Sequence, residues 1–131
     1  MRSLLLLLAL GLCYSSVSAV MQNITAKGIA MCHKKRMPLV HVELYERDVL
    51  DPNDLLAQTY TDAQGEFKLY GEEDEVATIE PFLRISHGCM VSKPGCKRVA
   101  DYEIPAHRIG SVYDMTYIPL DIAVAGESET C

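Results

Sequence analysis

Alternation of apolar and polar side chains over residues 39–48 is the feature that most constrains the fold of this chain. Val40, Val42 and Leu44 recur at every second position, which places their side chains on one face of an extended strand. No segment after the first nineteen residues shows a convincing amphipathic helical period. The alternation therefore predicts a β-strand with one buried face, and other strands have to cover that face.

Turn signals divide the rest of residues 20–131 into further strands. Asp62 and Gly65 mark a hairpin, because Asp can open a turn and Gly accepts a positive φ. The acidic stretch within 71–78 is expected to be a charged loop, and a change of apolar parity predicts a β-bulge near Tyr117. The other predicted strands are 24–32, 55–61, a strand resuming at Phe67, 79–87, 97–104 and 112–122. Seven short strands predict an all-β, antiparallel β-sandwich.

The beginning of the chain has the layout of a secretory signal peptide. Arg2 precedes a short apolar run, and Val17-Ser18-Ala19 offers a small-residue cleavage site. The run is roughly half the ~20 apolar residues that a transmembrane helix requires. These features predict a signal peptide at 1–19, followed by a secreted, extracellular domain at 20–131 without a transmembrane segment.

Four cysteines follow residue 19, and an even number in an oxidising compartment predicts two disulfides. Three pairings are possible. The Pro94-Gly95 turn favours Cys89–Cys96, which leaves Cys32–Cys131 as the second pair. A zinc site is disfavoured, because the cysteine and histidine spacings do not form two compact ligand pairs.

The charge of the chain restricts its partners. The formal net charge is −6, or −7 once the predicted signal peptide and its Arg2 are removed, so nucleic acid is not expected as a partner. Basic turns are the local exception, and we treat them as candidate partner-binding residues: Lys34, Lys35, Arg36, Lys93, Lys97 and Arg98. Brought together, they would form a basic lobe for lipid head groups or an acidic receptor. Ordinary solvated turn charge is the alternative, and the sequence alone favours it.

Two further motifs concern modification and metal binding. Asn23-Ile24-Thr25 matches the N-glycosylation sequon, which predicts a glycan on Asn23. Residues 48–54 offer oxygen ligands for calcium but lack the Gly and the alternation of an EF-hand loop, so turn chemistry is favoured. The side chains concerned are Asp48, Asp51, Asn53 and Asp54. The sequence predicts no metal site and no cofactor.

A series of motifs in fixed order resembles the nematode transthyretin-like family. The motifs are Lys27-Gly28, Cys32, Pro38 to Glu46, Asp54-Leu55-Leu56, Thr61-Asp62, Gly65-Glu66-Phe67, Ile79 to Ile85, His87-Gly88-Cys89, Ile104-Pro105 and Tyr113-Asp114. They extend over nearly all of residues 20–131. The resemblance implies a transthyretin-like (prealbumin-like) sandwich, secretion, and a role in extracellular recognition.

The resemblance leaves three kinds of function to compare. One is a secreted binding protein that acts as a ligand or bridges cell-surface lipids or receptors. Another is a carrier of small apolar ligands in the channel of an oligomer, although the sequence does not predict an oligomeric state. The third is a hydroxyisourate hydrolase, whose C-terminal Tyr-Arg-Gly-Ser is missing here because the chain ends Gly126-Glu127-Ser128-Glu129-Thr130-Cys131. We therefore predict a binding protein with no catalytic residues.

Overall fold

The computed structural model of the protein describes residues 20–75 and 77–131, and the predicted signal peptide lies outside them. Within these residues the chain forms nine strands and one short 3-10 helix, Ala106–Arg108. No helix among them is long and apolar enough to cross a membrane. In chain order the strands are β1 Val20–Cys32, β2 Lys35–Arg36, β3 His41–Glu46, β4 Asp54–Tyr60, β5 Glu66–Glu75, β6 Pro81–His87, β7 Lys97–Glu103, β8 Val112–Pro119 and β9 Ser128–Thr130.

The strands form two sheets. In the first sheet β1 is central, with β5 and the short β2 antiparallel to it and β8 parallel to it. The second sheet has the order β4-β3-β6-β7-β9 and is antiparallel throughout. Their inward faces share one hydrophobic core, so the predicted transthyretin-like β-sandwich is confirmed.

The core is built from the alternation seen in the sequence. Val42 and Leu44 of β3 are fully buried and lie opposite Ile85 and Leu83 of β6. Burying an aliphatic side chain of this size stabilises the fold by about 1.5–3 kcal/mol. The first sheet contributes Ile24, Ala26, Ala30, Phe67, Leu69 and Ile118 to the same cluster.

The structure has nine strands within the described residues, where the sequence predicted seven. The two additional strands, β2 and β9, contain two and three residues. Segments this short carry no period that a sequence pattern could reveal. They lie where the sequence predicted a basic turn and a polar tail.

The acidic stretch at 72–75 was wrongly predicted to be a loop. It continues β5 and pairs with the start of β1, with Asn23 opposite Glu72 and Val20 opposite Glu75. Its acidic residues suggested a solvated loop, but pairing with β1 satisfies the backbone groups whatever the side-chain charge.

The first sheet is not purely antiparallel, because β8 runs parallel to β1. The prediction of a wholly antiparallel sandwich was wrong on this point. After β7 the chain crosses between the sheets through the 3-10 helix, and β8 begins beside Thr25, whose N–H donates to Ser111. The predicted bulge near Tyr117 is confirmed by a register shift that leaves Met115 and Thr116 between paired positions.

Candidate functional site

The two disulfides differ from the predicted pairing. Cys32 is bonded to Cys89, and Cys96 is bonded to Cys131. The preference for Cys89–Cys96 with Cys32–Cys131 was therefore wrong. Strand register explains the second bond, because Lys97 pairs with Thr130 and the residues next to them, Cys96 and Cys131, are thereby opposite each other. Since all four thiols are oxidised, none of them is free to bind zinc.

The Cys32–Cys89 bond brings the predicted basic turns to one end of the sandwich. It joins the end of β1 in the first sheet to the loop that follows β6 in the second. The Lys97 ammonium lies over this loop, 3.9 Å from the place where a Cβ on Gly88 would stand. We call this end, formed by residues 33–39 and 88–97, the basic end.

Four lysines of the basic end are exposed to solvent. They are Lys34, Lys35, Lys93 and Lys97. Within the described part of the chain, none of them forms an ion pair shorter than 4.0 Å. Their ammonium groups are therefore available to an external anion.

The two arginines predicted with these lysines have other roles. Arg98 is buried at 8% exposure, where it donates to the carbonyl oxygens of Cys89 and Leu120 and pairs with Glu127 at 2.7 Å. Arg98 connects two loops from inside the protein, so it is not one of the exposed cations of the basic end. Arg36 is exposed, but its guanidinium lies 3.5 Å from the Glu66 carboxylate.

Two large apolar side chains are exposed beside the lysines. Leu39, before β3, is 76% exposed and Met90, after Cys89, is 60% exposed. Both have a positive φ, 58° and 53° respectively, a conformation that is unfavourable for bulky residues. Apolar side chains interspersed with lysines are typical of surfaces that contact the interface of a membrane.

His87 is buried beneath the basic end in the neutral form. Its Nδ1 accepts a hydrogen bond of 3.0 Å from the Cys89 N–H, which requires an unprotonated Nδ1. Burial, with the nearby positive charge of Arg98, lowers the pKa of His87 from 6.5 to about 4. The other histidines lie apart: His41 stacks on Tyr60, while His33 and His107 are exposed in separate segments. The described residues therefore contain no histidine cluster for hydrolysis.

Carboxylates converge at the opposite end of the sandwich. One oxygen from each of Glu46, Asp54, Glu73 and Glu75 lies within 4.8 Å of the others. Burial, followed by the charges of its acidic neighbours, raises the pKa of Glu46. We call these four residues the carboxylate cluster.

Strand parity explains why three members of the carboxylate cluster point inward. Glu46 continues the buried face of Val42 and Leu44, and Glu73 and Glu75 continue the alternating face of β5. This signal was available in the sequence, but the prediction of a loop at 71–78 concealed it.

The segment 48–54 behaves largely as the predicted turn. The Asp48 carboxylate accepts hydrogen bonds from the N–H groups of Leu50 and Asp51, and the Asn53 side chain accepts one from Asp48 N–H. Of the four oxygen-bearing residues considered for calcium, only Asp54 belongs to the carboxylate cluster.

Comparison with known proteins establishes the family. The model of the transthyretin-like family matches residues 27–105, more than half of the chain. The chain belongs to the transthyretin-like family. Transthyretin-like protein 16 of Caenorhabditis elegans is 53% identical, and the alignment covers 100% of this chain and 99% of that protein. Transthyretin-like protein 33 of the same nematode is 34% identical, with coverages of 98% and 92%.

The solved structure of a 9R-lipoxygenase from Cyanothece PCC8801 aligns with 77% of this chain and with 16% of the lipoxygenase chain. The sequence identity is 18% and the TM-score is 0.46, too low a similarity to support a conclusion. The match to the transthyretin-like family includes both ends of the sandwich, since residues 27–105 contain Lys34 to Lys97 and all of the carboxylate cluster. The predicted sequon residue, Asn23, precedes the matched segment and lies on β1, partly exposed.

Proposed function

We propose that this transthyretin-like protein is secreted as a domain of residues 20–131 and binds anionic lipid head groups of a cell surface through the basic end. The single observation that carries the proposal is the set of four exposed lysines without an intramolecular ion pair: Lys34, Lys35, Lys93 and Lys97. The exposed Leu39 and Met90 support it, because they can enter the head-group region beside the lysines.

The distribution of charge favours binding in one orientation. Each lysine close to an anionic leaflet contributes about 1 kcal/mol, and this contribution falls off within a Debye length of about 8 Å at physiological salt. The carboxylate cluster lies at the other end of the sandwich and is therefore farthest from the membrane when the basic end faces it, whereas Asp121 and Glu129 accept hydrogen bonds from His33 and Ser92 at the basic end. Binding needs no catalytic group, and we propose a recognition protein and not an enzyme.

Vesicle co-sedimentation tests this proposal. The oxidised protein, obtained by expressing the full chain in secreting cells, is mixed with vesicles of phosphatidylcholine alone or with phosphatidylserine added. We expect binding only to the anionic vesicles, with an affinity that falls as salt is raised. The double variant Lys34→Gln/Lys93→Gln should bind about 10- to 30-fold more weakly, because two contributions of ~1 kcal/mol are lost.

The matched control removes two lysines from another face. Lys27 and Lys68 are exposed cross-strand neighbours on β1 and β5, and Lys27→Gln/Lys68→Gln changes the net charge equally. Equal weakening by both double variants would show that only net charge matters and would contradict a specific basic end. Binding to intact cells but not to anionic vesicles would instead point to an acidic receptor.

The proposed secretion also makes Asn23 available to the glycosylation machinery. Asn23 is on β1 between β5 and β8 and is only partly exposed. The expected glycan can be measured as a loss of mass after enzymatic removal of N-glycans, with Asn23→Gln as the control that shows no loss.

A further inference from the structure

The position of the carboxylate cluster is unusual, because Glu46 is buried between the sheets and Glu73 and Glu75 continue the inward face of β5, while Asp54 is exposed beside them. Glu46 comes from β3 and Asp54 from β4 in the second sheet, and the other two members come from β5 in the first. Carboxylates that face one another without a counterion repel, and burial increases the cost because little water remains to solvate them. Something has to compensate this charge.

Close packing of the two sheets brings the four carboxylates together. A Cβ at Gly71 would stand 2.8 Å from Leu44 Cδ2 and 2.8 Å from Leu56 Cβ, so only glycine allows β5 to approach β3 and β4 this closely. Glu73 follows Gly71 by two residues on the same face. The inward carboxylates thus result from tight core packing and not from a flexible surface loop.

Glu46 supplies an independent observation. It is 6% exposed, and its Oε2 is a buried oxygen to which no group among the described residues donates a hydrogen bond. Buried polar atoms in proteins almost always have a partner, and an exception points to a bound water or ion. Because the Glu46 carboxylate is grouped with three further carboxylates, a cation fits this place better than a neutral donor does.

We propose that Glu46, Asp54, Glu73 and Glu75 form a calcium-binding site that joins the two sheets at the end opposite the basic end. Four carboxylates offer only oxygen ligands, the type that Ca²⁺ prefers. With Ca–O distances of about 2.3–2.6 Å, oxygens on opposite sides of the ion lie about 4.6–5.2 Å apart. The four oxygens of the cluster all lie within 4.8 Å of one another, close enough to bind one ion together. Mg²⁺ usually keeps several waters and binds only one or two carboxylates, so four protein carboxylates favour Ca²⁺.

The graded exposure of the ligands gives the ion a route of entry. Asp54 is exposed, Glu73 and Glu75 are partly buried, and Glu46 closes the inner side. Water can complete the six to eight ligands of Ca²⁺ on the exposed side. Because the ligands come from both sheets, the bound ion stabilises the sandwich and does not depend on the lysines of the basic end.

Isothermal titration calorimetry with CaCl₂ tests the site on the oxidised protein obtained from the full chain. We expect one Ca²⁺ per chain, tighter binding than for MgCl₂, and a melting temperature that rises with calcium. Glu46→Gln keeps the shape of the side chain but removes its charge, and it should weaken calcium binding at least about tenfold. Without calcium this variant should melt at or above the wild-type temperature, because one of the facing charges is gone.

Glu72→Gln is the matched control, because Glu72 is the outward neighbour of Glu73 on β5 and loses the same charge. It should bind calcium as the wild type does. Should Glu46→Gln fail to fold, Glu75→Gln tests the same prediction at a more exposed ligand. No heat and no melting shift up to about 10 mM calcium, well above the ~1 mM limit of extracellular calcium modules, would overturn the proposal. An equal loss of calcium affinity in Glu72→Gln and Glu46→Gln would also overturn the proposal.

Discussion

At the scale of single residues, Arg98 organises the basic end from beneath it. Its guanidinium donates to the carbonyl oxygens of Cys89 and Leu120 and pairs with Glu127. Burial raises the pKa of Glu127, but the hydrogen bonds from Arg98 and from the Val124 N–H, with the positive charge of Arg98, together lower it below its usual value, so that the carboxylate stays charged. The loops that follow β6 and β8 are thus held together by one side chain.

Replacing Arg98 by Met should lower the free energy of unfolding by about 3–5 kcal/mol, since it leaves Glu127 and two carbonyl oxygens without their partner. Urea unfolding at neutral pH measures the change. Arg36→Met is the control, because it breaks an exposed ion pair worth about 1 kcal/mol or less. Losses of similar size in the two variants would mean that burial of Arg98 has no energetic consequence.

His87 predicts how stability depends on pH. Its pKa is about 4 in the folded protein and 6.5 when exposed, so the unfolded chain binds the proton more readily. The contribution of His87 to the free energy of unfolding is fully present above pH 6.5 and is lost as the pH falls towards 4. Between pH 7.5 and 4.5 the loss should be about 2–3 kcal/mol.

Chemical unfolding of the wild type and of His87→Gln at both pH values separates the loss of stability caused by His87 from the loss caused by the carboxylates. The variant should lose about 2–3 kcal/mol less than the wild type over the same interval. His107→Gln, at an exposed histidine of the 3-10 helix, should behave as the wild type does. A wild-type pH profile that survives the His87 substitution unchanged would refute the assignment.

At the scale of elements, the β1–β2 turn presents a lysine at the cost of backbone strain. His33 and Lys34 both have a positive φ, 51° and 63°, in a two-residue turn that favours Asn and Gly. A side chain in the left-handed region costs roughly 1–2 kcal/mol. On stability alone, other residues would be favoured at these two positions of the turn.

Lys34→Gly should therefore raise the free energy of unfolding by about 1 kcal/mol, because glycine adopts this φ without the steric penalty. Thermal or urea unfolding measures the gain, and the same variant should bind anionic vesicles more weakly. Lys35→Gly, one residue later within β2, should be destabilising instead. A destabilising effect of Lys34→Gly would contradict the strain.

Much of the fold follows from local patterns, and the rest depends on tertiary contacts. The alternation at Val42 and Leu44 is sufficient to predict β3, and the parity change before Tyr117 predicts the bulge in β8. The direction of β8 is not encoded locally, because it depends on where the crossover delivers the chain. The continuation of β5 through its acidic residues likewise depends on pairing with the start of β1.

The candidate sites were predictable to different degrees for the same reason. Lysines in turns are visible in the sequence, but the burial of Arg98 depends on the packing of two distant loops. Strand parity can indicate that Glu46, Glu73 and Glu75 point inward, but the carboxylate cluster combines residues from three strands, so no spacing in the chain reveals that they meet. The pairing of Cys89 was mispredicted because a short loop with Pro94-Gly95 favours local closure, whereas the strand register directs Cys96 towards β9.

At the scale of the whole molecule, the two disulfides have different roles. Cys32–Cys89 spans 57 residues and joins the two sheets, whereas Cys96–Cys131 spans 35 and fixes β9 to the edge of one sheet. The chain-entropy relation gives about 4 kcal/mol for each. The two disulfides therefore differ mainly in which part of the structure loses its contacts when the bond is removed.

Replacing Cys96 and Cys131 by Ser should increase amide hydrogen exchange mainly in residues 120–131, because only the terminal strand is freed. Replacing Cys32 and Cys89 should increase exchange in the loops of both sheets at the basic end and weaken vesicle binding. Peptide mapping without reduction should first recover the cross-links Cys32–Cys89 and Cys96–Cys131. Similar exchange patterns in both double variants would contradict this division of roles.

The central claim is that the molecule recognises anionic surfaces with one end, and amide chemical-shift mapping tests it most directly. Titration of the isotopically labelled protein with small anionic bicelles should perturb residues 33–39 and 88–97 and leave 46–54 and 72–81 unchanged. Perturbations centred on 46–54 and 72–81, or none at a bicelle concentration that saturates binding in co-sedimentation, would contradict the account.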